Sequence, residues 1–77
     1  MLHLKNIRIN EQVAEADFYP ENEKQCGHIS VDLKSEEISE IINVPGYELV
    51  YPGHARKKLA KMAQENDHSN ECVIFWY

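Results

Sequence analysis

The sequence predicts an α+β fold: a two-layer, mostly antiparallel four- to five-stranded sheet with one amphipathic helix packed on one face and a C-terminal strand, forming a single α+β domain over residues 1–77. Three observations predict it. Tyr51 to Gln64 is the only stretch with clearly helical periodicity, placing Ala55, Leu59, Met62 and Ala63 on one stripe and Arg56, Lys57, Lys58 and Lys61 around the rest. Most other apolar residues recur with period two, as strands require. The helix falls between these strand-like segments and one last apolar segment, an order that suits a sheet with a single covering helix.

In chain order, Leu2 and Leu4 alternate with polar neighbours, as do Ile7 and Ile9, but the apolar parity shifts between Leu4 and Ile7. A strand with a bulge or bend near Lys5-Asn6 reconciles the two registers; the other reading starts the strand at Ile7. Asn10-Glu11-Gln12 closes a hairpin, after which Ala14, Ala16 and Phe18 form the inner face of the next strand. Residues 20–25 are an exposed loop. Gly27, Ile29, Val31 and Leu33 then give the cleanest alternation in the chain, with Ile29, Val31 and Leu33 facing inward.

Residues 35–44 read two ways. Ile38, Ile41 and Ile42 have helical spacing after an N-cap-like Ser35, yet the segment is short, β-branched and alternates as Ile38, Glu40, Ile42, Val44. The strand is the favoured reading. Val44-Pro45-Gly46-Tyr47 fits a type II turn, followed by a short extended piece over Tyr47, Leu49 and Tyr51. After the helix, a polar connection over residues 65–71 leads to Cys72-Val73-Ile74-Phe75-Trp76-Tyr77, apolar on both faces and so expected at a central position or under a partner.

Size and charge restrict function. Seventy-seven residues leave no room for a second domain or a deep cleft. The net charge is −5, yet residues 54–61 hold four of the eight bases and no acid, so the remainder carries four bases against thirteen acids, a net −9. That balance argues against general affinity for nucleic acid or anionic membrane. No apolar run has the roughly 20 residues of a membrane span, and residues 1–6 do not resemble a signal peptide. With only Cys26 and Cys72, the expected compartment is cytoplasmic and the cysteines are expected as thiols.

Cys26, His28, His68 and Cys72 superficially supply a tetrahedral metal set, but neither half has the C-x2-C spacing of a zinc knuckle. The bland reading places Cys26 and His28 on an outer face and Cys72 as a small buried residue. A Cys-His nucleophile pair from the same residues lacks a third orienting group. Gly27, Gly46 and Gly53 are isolated, so no phosphate-cradling loop is present. No catalytic, metal-binding or cofactor-binding residue is therefore assigned, and no cofactor is expected. His54 reads as a polar residue at a helix start.

The C-terminal segment is the best pointer to function. One helix covers one sheet face, leaving either Val73, Phe75 and Tyr77 or Ile74 and Trp76 on the other side. Val13, Tyr19, Ile74, Trp76 and Tyr77 are the candidate interaction surface, and Arg56, Lys57, Lys58 and Lys61 the candidate basic patch. The leading expectation is a small non-catalytic protein-interaction or regulatory module, homodimeric through the open sheet face or bound to another protein. The alternative is a nucleic-acid-associated protein using the basic helix 54–61, although nucleic acid is the less favoured partner.

Overall fold

Period-two alternation in the first half of the chain is realised as a four-strand meander. The computed structural model describes residues 1–76, with β1 (Leu2–Ile9), β2 (Val13–Pro20), β3 (Gly27–Asp32), β4 (Glu37–Ile42), α1 (Tyr51–Gln64) and β5 (Cys72–Ile74). The sheet order is β4-β3-β2-β1-β5, with every neighbour antiparallel. α1 carries the chain back across one face so that β5 can pair with β1. The fold is the two-layer α+β arrangement that the sequence predicts.

The parity shift in β1 is a bulge. The register between β1 and β2 slips between Lys5 and Arg8, and Asn6 adopts φ 54°, a left-handed conformation that asparagine tolerates better than most residues. Leu2, Leu4 and Ile7 are consequently buried together on the helix side. Asn10 closes the β1–β2 hairpin, its side-chain oxygen accepting the N–H groups of Gln12 and Val13. Ala14, Ala16 and Phe18 of β2 and Ile29 and Val31 of β3 complete the sheet's share of the core. Gly27 lies opposite Phe18. A Cβ there would fall 2.5 Å from Phe18 Cζ and closer still to the Ile42 carbonyl oxygen.

Residues 37–42 form a strand and not a helix. Asp32 turns the chain by accepting the Lys34 and Ser35 N–H groups, and Glu36, at φ 61°, completes the reversal into a β-branched run. The expected even alternation through Val44 is interrupted by an irregularity that leaves Ser39 unmatched, so Ile38 pairs with Val31 and Ile41 with Ile29 on the helix side, while Glu40 and Ile42 face the open side.

The type II turn at Val44–Tyr47 is present: Tyr47 N–H donates to the Val44 carbonyl at 2.9 Å, and Gly46 takes φ 89°. Tyr47 and Glu48 are irregular and Leu49 and Val50 a bend, where the sequence suggested an extended piece, and Tyr51 already opens α1. Ala55, Leu59, Ala60 and Met62 of α1 are buried, with Ala63 half-buried at the margin. No described helix is long and apolar enough to cross a membrane.

The last strand departs from expectation. β5 is a three-residue edge strand, and its outward Val73 is 42% exposed. The bulge in β1 and the bond from Ile7 N–H to the Asn70 carbonyl place the incoming chain beside β1 and not in the middle of the sheet.

Candidate functional site

The face opposite α1 is an ordered polar surface. Strand register sets Lys5, Asp17 and His28 in one row and Arg8, Glu15 and Ser30 in the next. His28 Nδ1 donates to Asp17 Oδ1 at 2.9 Å, and Asn6 Nδ2 donates to Asp17 Oδ2 at 2.8 Å. These bonds, the His28 one first, hold the Asp17 carboxyl below the usual carboxylate range against a smaller desolvation effect. His28 Nε2 lies 3.7 Å from Glu15. Lys5 Nζ sits 5.1 Å from the Tyr19 ring centroid, and the neighbouring Cys26 thiol pushes the Tyr19 hydroxyl up. Polar groups here mostly satisfy one another.

The predicted interaction residues do not converge. Val13 and Tyr19 are half-buried on the open face at opposite ends of β2, about 20 Å apart at 3.3 Å per residue, with Glu15 and Asp17 between them. Ile74 and Trp76 are half-buried against the core on the helix side. Tyr77 lies outside the described residues. Trp76 instead joins an internal aromatic cluster, stacked on His54 at 3.9 Å and edge-on to Tyr51 at 5.2 Å, with Tyr47 edge-on to Tyr51. Tyr51 donates to Glu21 and Tyr47 to Glu23, fastening the loop after β2 to the start of α1.

The basic patch is divided. Arg56 donates to the Glu36 carbonyl at 3.1 Å, and Lys58 lies near enough to Asp67 to help lower its carboxyl, an effect led by the hydrogen bonds from Ser69. Lys57 and Lys61 are the exposed pair, one helical turn apart. The four metal-type residues are also dispersed. Cys72 is on the helix-side face of β5, three strand spacings of about 4.8 Å from β3, whereas Cys26 precedes β3, His28 faces the open side and His68 sits in the α1–β5 connection. Among the described residues no group of three such side chains is placed to hold a metal ion.

A feature missed in the sequence is the β4 edge. A helix about 10 Å wide covers roughly two strands spaced about 4.8 Å apart, and α1 lies chiefly over β1, β2 and β3. β4 lies at the margin of its cover. Ile38 and Ile41 are more than a third exposed and Ile42 is 65% exposed, on a strand whose outer edge pairs with no described strand. A shallow groove lined by Ser35, Glu36, Glu37, Ile38 and Arg56 runs between this edge and the helix. The signal in the sequence was the width of one helix set against four or five strands.

A second depression, about 460 Å³, lies between the C-terminal end of α1 and the hairpin ends, over Ile9, Leu33 and Met62. Gln64 already bonds Glu36 there, and the Ser69 N–H already bonds Asp67, so this is an open seam of the fold and no deep cleft. Comparison of the chain with protein-family models, curated proteins and solved structures finds no match.

Proposed function

We propose that this chain is a small non-catalytic protein-interaction module that docks a partner along β4. The observation that carries this reading is the open edge: three exposed isoleucines on a strand whose outward N–H and C=O groups face no other described strand, beside a groove that Arg56 of α1 helps to line. An edge strand presents backbone hydrogen-bonding groups in a row, and an added strand satisfies them while covering apolar side chains. The open face supports this choice by contrast. Its charges already meet partners within the sheet, so a contact there would first have to disrupt the Asp17 and His28 bonds.

Photo-crosslinking tests the reading in the host cell. A crosslinker at Ile42 should capture one defined protein, and the same group at Tyr19 or Lys57 should not. Capture of a partner from Tyr19 alone would move the interface to the open face; capture of nucleic acid from Lys57 would favour the basic helix. Light scattering across concentrations should report a monomer.

A further inference from the structure

From this docking reading we infer the chemistry of the partner: an extended segment of another protein in which β-branched apolar residues alternate with Lys or Arg. The edge itself specifies an extended occupant, because only a strand pairs with a row of outward backbone groups at strand spacing. The two faces of β4 then specify its side chains. On the helix side, Ile38 and Ile41 offer partly covered apolar surface continuous with the core residues Val31 and Ile29 that they oppose. β-Branched side chains of an added strand would cover that surface.

On the open side the edge is acidic up to Ile42, which is 65% exposed and ends the strand. Glu37 and Glu40 point there, Glu37 directly opposite Asp32, and Glu40 opposite Ser30, which is in turn opposite Glu15. Like charges directly opposed across a ladder are destabilising, and neither β3 nor β4 contains a Lys or Arg. The sheet's own cations on this face, Lys5 and Arg8, are on β1, paired with Asp17 and Glu15. A Lys or Arg from an added strand beside Glu37 and Glu40 would supply the missing charge.

The same acids argue against a second copy as occupant. Two chains joined along β4 would bring Glu37 and Glu40 of each into one seam, and the irregularity at Ser39 distorts the edge further. Acids and bulges are how natural edges resist self-pairing. Here they discourage a second copy and leave the edge suited to a basic strand, so attraction and exclusion select the same partner.

The test uses the whole chain, ¹⁵N-labelled, and three eight-residue peptides: alternating valine and lysine, valine and serine, and valine and glutamate. The lysine peptide should shift the amides of Ile38 to Ile42 and bind at least about fivefold more tightly than the serine peptide, a preference that weakens with salt. The double variant Glu37→Gln/Glu40→Gln should erase the preference while leaving the spectrum of the rest of the chain unchanged. Equal binding of all three peptides at β4 would overturn the inferred charge and leave the docking reading standing. Absence of any shift at β4 would overturn both, and concentration-dependent shifts at β4 without peptide would identify a second copy as the occupant.

Discussion

His28 and Asp17 sit opposite each other on β3 and β2, and the imidazole Nδ1 donates to the carboxylate over 2.9 Å while Asn6 donates to its second oxygen. The carboxylate ties three features of the sheet together: β2 itself, the neighbouring β3 and the bulge in β1. Arg8 adds a weaker attraction from β1, and Glu15 flanks His28 on the other side.

This arrangement sets an acid-dependent component of stability. A carboxyl held below its ordinary value contributes fully above the unfolded value of about 3.9 and loses its contribution as pH falls through the lower folded value. Asp17→Asn should therefore cost about 1 kcal/mol at neutral pH, the net worth of such bonds at a partly exposed site. The gap between wild type and variant should close as pH falls below the unfolded value and through the lowered folded one. Urea unfolding at intervals between these limits measures it. A gap of constant size at every pH would mean that Asp17 acts through packing or geometry and not through charge.

Gly27 gives a sharper steric prediction. Its missing side chain makes room for the Phe18 ring and for the Ile42 carbonyl on the adjacent edge strand, and the carbonyl, being backbone, cannot move aside without disturbing the β3–β4 ladder. Gly27→Ala should destabilise the fold by about 2 kcal/mol, within the range for overpacking. Adding Phe18→Leu should recover only part of that loss, since it relieves the ring and not the carbonyl. Thermal unfolding of the single and double variants checks both statements; full recovery in the double variant would assign the whole conflict to the ring.

Legibility in the sequence followed the range of the interaction. Helix and strands were readable because their periods report which side of an element is buried, and even the β1 bulge appeared as a parity shift between Leu4 and Ile7. Strand order was not readable. Val73 to Trp76 looks central by composition, yet β5 is an edge strand paired only with β1, where Asn70 bonds Ile7. The same gap hid the exposure of Ile38, Ile41 and Ile42. Their pattern fits a buried strand; the path of α1, chiefly over β1 to β3, leaves Ile38 and Ile41 partly exposed, and Ile42 lies on the face opposite the helix. Trp76, read as a candidate for an exposed surface, is drawn inward by rings 22 to 29 residues earlier in the chain, at Tyr47, Tyr51 and His54, of which Tyr51 and His54 touch it directly.

The bulge makes backbone and side-chain contributions separable at one residue. Asn6 holds a positive φ and also donates to Asp17. Asn6→Ala and Asn6→Gly both remove the donor, but only alanine meets the steric penalty of the left-handed region. The glycine variant should therefore be the more stable of the two by about 1 kcal/mol. Denaturant unfolding of the pair gives that difference directly, and equal stabilities would show that the strand relaxes out of the bulge when the side chain is shortened.

The two thiols should differ in reactivity. Cys26 is exposed just before β3, whereas Cys72 is half-buried on the helix side of β5, where burial pushes its thiol up despite the nearby Lys58. Less thiolate and less access act in the same direction, because the thiolate is the reacting form. An aromatic disulfide reagent at mildly alkaline pH should modify Cys26 at least about tenfold faster than Cys72. Cys26→Ser and Cys72→Ser assign the two phases, and moderate urea should accelerate the slow phase selectively as β5 detaches from β1. Equal rates without denaturant would mean that β5 already opens faster than the reagent reacts, and that the three-residue pairing with β1 contributes little protection.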